Sequence, residues 1–204
     1  VAPGEELTAA LRGTETIFTI LAEWEGGGAD FFGRNGTAKR RAAEEWDAAE
    51  PRAQRIERLL KEKLPGVTVE DVWPHIRDMR TIKSRSEIAL LRQAGRLAAA
   101  ACVEGMKLCK PGMNEADLQA VGEHTYRTRG HCGAAYGWIV ASGQRTWDGH
   151  YHYNNATIQD GQVVLMDCGP DLRHYTSDIA RLFPANGTFS DWHRRIYGFI
   201  AEYH

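Results

Sequence analysis

Two carboxylates set inside strand-like runs constrain this chain more than any other feature. Asp167 lies in Val163-Val164-Leu165-Met166-Asp167-Cys168-Gly169, and Asp178, eleven residues on, lies in Tyr175-Thr176-Ser177-Asp178-Ile179-Ala180-Arg181. Both runs carry the apolar content of buried strands. A carboxylate in a strand core is costly unless a cation or a hydrogen-bond network holds it. Asp171-Leu172-Arg173-His174 reads as a polar turn between the runs, and Asp160-Gly161 as a turn before the first. A hairpin would then set the aspartates side by side, as a seat for hard divalent cations. The commonplace alternative is a pair of strand-end aspartates. The turns, and a cluster of His150, Tyr151 and Asn154 just upstream, weigh against it.

The rest of the chain agrees with a globular protein. Its 204 residues are 43% hydrophobic and 25% charged, enough for a sizeable core and one or two domains. A net charge of -2 points neither to nucleic acid nor to an anionic membrane surface. No apolar run approaches the ~20 residues that span a bilayer. The start, Val1-Ala2-Pro3-Gly4-Glu5-Glu6, does not read as a signal peptide, so a cytoplasmic location is expected. The four cysteines, Cys102, Cys109, Cys132 and Cys168, form no CxxC pair. They are expected to be free, largely buried thiols, with Cys168 on the opposite face of its strand from Asp167.

Residues 1–76 read as the end of an α/β unit. A short helix covers Glu5 to Leu11, and a strand covers Thr16 to Ala22. A long charged helical stretch, Lys39 to Lys63, is bent or broken near Pro51, and its charge reads as a solvated face. Val69 to Arg80 is a final helix or extended connector. Ser84 to Cys109 is the best helix, with Ser84 and Glu87 forming a capping box. Asn114 and Asp117 open a second helix that closes at Gly130. Strands are expected around Ala135–Ala141, Tyr151–Tyr153, Gln162–Cys168 and His174–Phe183, then a helix capped by Ser190. Helices followed by an antiparallel sheet imply an α+β layer domain.

The segment from Ile139 onward resembles the pita-bread metallopeptidases, in their aminopeptidase P and prolidase branch. The resemblance rests on Ile139-Val140-Ala141-Ser142-Gly143, on His150-Tyr151-x-x-Asn154, and on Asp160-Gly161-x-Val163-Val164-Leu165-Met166-Asp167-Cys168-Gly169. It continues through Tyr175-x-Ser177-Asp178-Ile179-x-Arg181-x-Phe183-Pro184-x-Asn186-Gly187 and Arg195-Ile196-Tyr197. Upstream, Arg80-Thr81-Ile82-Lys83-Ser84-x-x-Glu87-Ile88 and Lys110-Pro111-Gly112-Met113-x-Glu115 also match. It covers residues 77–204. It implies that these form the first half of a pita-bread catalytic domain. Residues 1–76 would be the tail of a non-catalytic N-terminal α/β domain.

The resemblance also implies chemistry. Asp167 would chelate one metal and Asp178 would bridge two. The remaining ligands of the family, one His and two Glu, would lie beyond His204. This chain alone is therefore expected to bind metal weakly and to hydrolyse nothing. The metals, manganese first with cobalt or zinc as competitors, would activate water for hydrolysis at Xaa-Pro bonds. His150 would handle protons during the reaction, with His152 as its near neighbour. Tyr151 and Asn154 would position groups or touch substrate. The expected partners are a peptide with proline at its second position and further copies of the chain. Trp147-Asp148-Gly149 departs from the family's apolar residues at that place. Alternatives from the same fold are methionine aminopeptidase, a creatinase-like enzyme and a binding module that has lost catalysis. Arg181 is expected on the opposite face from Asp178, His174 in an exposed turn, and Trp138 in the core.

Overall fold

The computed structural model describes residues 3–21, Trp46 and residues 50–203. The chain divides into two compact units, Val1–Ile82 and Lys83–His204.

In the first unit, helix α1 (Pro3–Ala10) precedes strand β1 (Thr16–Thr19). Helix α2 (Arg52–Lys63), strand β2 (Thr68–Asp71) and helix α3 (Trp73–Thr81) follow. β1 and β2 pair in parallel, with Thr16 opposite Thr68 and Thr19 opposite Asp71. Asp71 closes the pair, because its Oδ1 accepts from Leu21 N at 3.0 Å and from Trp73 N at 2.9 Å. Pro51 stands at the N-cap of α2, where a fixed φ and a missing N–H cost nothing. The expected stretch before Glu50 lies outside the described residues, Trp46 apart. The solvated face is present on α2: Arg58 pairs with Glu50 and Glu62, and Lys61 with Glu57. The region Val69 to Arg80, expected as a final helix or extended connector, divides into the end of β2 and helix α3. Pro74, near the start of α3, suits a helix opening better than a continued strand.

The second unit has the expected α+β order. Helix α4 (Arg85–Leu108) opens with the capping box: Glu87 N donates to Ser84 Oγ and Ser84 N donates to a Glu87 carboxylate oxygen. Helix α5 (Glu115–Arg129) opens with the same device at Asn114 and Asp117. Small residues on α4, Ala94, Ala98, Ala101 and Gly105, are buried and let it lie close to its neighbours. A Cβ at Gly105 would come within 2.7 Å of the Met166 sulfur, and one at Gly122 within 2.2 Å of the Trp138 ring.

Two antiparallel sheets follow the helices. Strands β3 (Gly133–Ala134), β6 (Pro170–Leu172) and β7 (Tyr175–Thr176) form one. Strands β4 (Ile139–Ser142), β5 (Val163–Cys168) and β8 (Ile179–Pro184) form the other. The main core joins α4, α5 and one face of this second sheet through Leu97, Ala101, Cys102, Leu118, Tyr126, Trp138, Val140, Val164, Met166 and Cys168. Helix α6 (Asp191–Tyr203) ends the described chain, with Ser190 Oγ accepting from His193 N.

Three expected strands differ, the first being Ala135–Ala141, of which only Ile139–Ala141 joins β4. Residues 151–153 form no strand. His150 and Asn154 have φ of 57° and 46°, which breaks the pleat on either side. The run His174–Phe183 divides into β7 and β8. Ser177 and Asp178 leave the ladder between them, and this departure carries Asp178 toward Asp167.

Candidate metal centre

Strand β5 turns successive side chains to opposite faces. Val164, Met166 and Cys168 enter the core against the helices. Asp167 therefore projects from the other face, where Ile139, Ala141 and Tyr151 make a smaller apolar cluster with Leu165. Asp167 pairs with Ala180 of β8 and with Ile139 of β4. Asp178 precedes Ala180 by two positions and so approaches the same face. Gly169 makes the approach feasible: a Cβ there would fall 1.7 Å from the Ser177 carbonyl oxygen and 3.0 Å from the Tyr136 ring.

Tyr136 shows how close the two aspartates come. Its hydroxyl lies 2.8 Å from Asp167 Oδ1 and 3.0 Å from Asp178 Oδ1. A phenol has one proton, so it donates to one carboxylate at a time while its oxygen stays within reach of both. Burial and the two acidic neighbours push the Tyr136 phenol well above its usual range, so it remains a donor. Asp167, half-buried, is pushed up chiefly by burial. The bond from Tyr136 opposes this, and the neighbouring Asp178 adds to it. A half-buried Asp167 with a second carboxylate beside it is a setting that a bound cation relieves.

His150 borders the same site. Its imidazole is near enough to Asp167 to favour the charged carboxylate. Its backbone is left-handed, a strained state for a non-glycine residue. The neighbouring His152 stacks beside it, ring centroids 6.1 Å apart, with Nδ1 3.3 Å from the Trp138 carbonyl oxygen. Tyr151 and Asn154 turn inward and are buried. Asn154 Oδ1 accepts from Val140 N at 2.8 Å, and its Nδ2 reaches the Trp138 carbonyl and Gln119 Oε1, each at 2.9 Å. It serves β4 as a surrogate strand partner. The Tyr151 hydroxyl lies 3.0 Å from Glu115 Oε2 and 3.1 Å from Asn155 Oδ1. Arg181 is opposite Met166 on the helix-facing side, and His174 is exposed in its turn. Trp138 is buried, as expected.

Sequence reading missed Tyr136 and gave Glu115 no role beyond a motif position. Nothing in the sequence marks a tyrosine thirty-one residues before an aspartate as its partner. The donor set at the site is oxygen alone, which suits hard divalent ions, and Asp167 and Asp178 are the residues that would hold them. Among the described residues, no group of three or more His, Cys, Asp or Glu side chains is arranged to hold a metal ion. Among them, too, no helix is long and apolar enough to cross a membrane.

An antiparallel sheet backed by two helices thus carries two converging carboxylates on its other face. The sequence profile of metallopeptidase family M24 matches residues 89–204, and the chain belongs to that family. The Xaa-Pro aminopeptidase of Escherichia coli K12 is 38% identical over 135 residues, covering 66% of this chain and 31% of the relative. Human Xaa-Pro aminopeptidase 3 is 39% identical over 134 residues, covering 66% of this chain and 26% of the relative. The chain thus spans less than a third of these curated relatives. Zinc-substituted E. coli aminopeptidase P in complex with product superposes with a TM-score of 0.72 at 30% identity, covering 97% of this chain and 41% of that one. The pita-bread resemblance and the α+β fold class therefore hold.

Proposed function

We propose that this chain carries part of the active centre of a metal-dependent exopeptidase acting at Xaa-Pro bonds. The observation that carries the reading is the convergence of Asp167 and Asp178 on one tyrosine hydroxyl, on the sheet face away from the helices. The names of the relatives favour the aminopeptidase branch over the dipeptidase branch. Proline's tertiary amide lacks an N–H, so a dedicated pocket is needed to accept it.

Asp167 and Asp178 would hold the divalent ions, with manganese as the first choice and cobalt or zinc as competitors. Bound there, the ions would supply an activated water and polarise the scissile carbonyl. Tyr136 keeps its proton and fixes the orientation of both carboxylates. His150 would donate or accept a proton as the peptide bond breaks. Tyr151 and Asn154 act on the protein rather than on the peptide, since both are engaged in buried hydrogen bonds. Residues 1–76 would be the C-terminal part of a non-catalytic N-terminal α/β domain, residues 77–204 the N-terminal half of the catalytic domain, and the whole protein would assemble as a homo-oligomer in the cytoplasm.

The test is an assay of the full-length protein with manganese. An Xaa-Pro dipeptide and a longer peptide with proline in second position serve as substrates, beside an Asp178→Asn control. The expected result is metal-dependent cleavage of the longer peptide, lost in the control. Failure of well-folded, metal-loaded protein to cleave either substrate would overturn the proposal.

A further inference from the structure

Glu115 is a fully buried carboxylate among the described residues of the second unit, hydrogen-bonded to the uncharged groups of Ser142, Tyr151 and Ala156. Its Oε1 accepts from Ser142 N and from Ser142 Oγ, each at 2.7 Å. Its Oε2 accepts from Ala156 N at 2.9 Å and from the Tyr151 hydroxyl at 3.0 Å. Burying a carboxylate costs several kcal/mol, so a fold retains one only where strong hydrogen bonds hold it. Here they tie three separate pieces together. Glu115 is the first residue of α5, Ser142 ends β4, and Tyr151 and Ala156 bound the segment that follows His150.

That segment is where support is needed. It has no strand ladder, and both His150 and Asn154 are held at positive φ. Such a backbone persists only where its surroundings over-determine it. Asn154 fixes the middle of the segment to β4. Glu115 fixes both its ends, and Tyr151 is bonded directly to His150 in the chain. We infer that Glu115 is a positioning residue: through Tyr151 and Ala156 it sets the backbone from which His150 projects. The inference rests on His150 serving the proposed reaction.

Two variants of the full-length protein test it, Glu115→Gln and Tyr151→Phe. Tyr151→Phe keeps the ring packing and removes only the hydroxyl link. Each is expected to lower kcat by roughly tenfold to a hundredfold with little change in KM, as misplacement of a proton-handling group does. In a His150→Ala background the same changes should cost less than about threefold, because their route of action is already gone. The second readout needs no turnover: the His150 Hε1–Cε1 NMR resonance of the metal-free protein should move in Glu115→Gln while those of His75 and His124 stay in place. Additive losses in the His150→Ala background, or an unmoved His150 resonance, would overturn the inference. If Glu115→Gln does not fold, Tyr151→Phe decides. If the wild-type protein cleaves no Xaa-Pro peptide, the function reading fails and the resonance alone judges the positioning.

Discussion

The two faces of the β4–β5–β8 sheet are built from the same strands and do opposite things. Toward the helices, Val140, Val164, Met166 and Cys168 are each at most 1% exposed and pack against Ala101, Cys102 and Leu118. Away from them, Asp167, Tyr136 and Asp178 gather polar groups at a half-open surface. Along β5 the change from one role to the other takes a single residue, Met166 to Asp167 to Cys168. One face lowers the free energy of the fold by burial, worth about 1.5–3 kcal/mol for each large apolar side chain. The other carries groups that the fold alone does not favour: paired carboxylates, a raised Asp167 and a left-handed His150. Stability and chemistry are thus separable by face, and substitutions should sort accordingly.

The sharpest way to break this division is Asp178→Asn. If Asp178 holds the metal as proposed, turnover of the full-length protein should fall by more than about a thousandfold. The melting temperature of the metal-free protein should hold or rise, because one of two repelling carboxylates is gone. A fall in melting temperature would place Asp178 among the stabilising groups and blur the two faces. Next in size is Met166→Ala on the opposite face. Its cavity should cost about 2–5 kcal/mol in denaturant unfolding, and the protein that remains folded should keep its metal affinity. Third, Tyr136→Phe should lower turnover by about tenfold while leaving the carboxylates able to bind metal at reduced affinity. A metal titration beside the assay reads both. The smallest effect is a control at the start of α4. The bonds from Ser84 and Tyr175 hold the Glu87 carboxyl below its ordinary value of 4.5. A depressed carboxyl contributes stability above that value and loses it as pH falls through the lower, folded-state value. Glu87→Gln should therefore reduce the melting temperature slightly at pH 7, and the difference from wild type should close in acid. Metal affinity should not change at any pH where both are folded.

What could be read beforehand follows from locality. The capping boxes at Ser84 and Asn114 are contained within four consecutive residues each, so sequence shows them directly. The alternation around Asp167 is equally local, and it alone places Cys168 on the opposite face. Strand boundaries were less legible. The expected strand at Tyr151–Tyr153 has strand-like residues, but its backbone is set by Asn154 and Glu115 from outside the segment. The division of His174–Phe183 likewise depends on how Ser177 approaches Gly169 across the fold. Tyr136 and Glu115 could not be found at all by pattern, because their meaning lies in partners 31 and 27 or more residues away. The strand-like runs alone marked Asp167 and Asp178, and the family resemblance added His150 and the role of each, since it encodes the long-range placement that periodicity lacks.

The most direct test of the central claim is a calorimetric manganese titration of the metal-free full-length protein, wild type against Asp167→Asn. If the face away from the helices holds the metal, the substitution should weaken binding by at least about tenfold, with unchanged unfolding in the same samples. Equal affinity in the two proteins would contradict the account and move the metal site elsewhere.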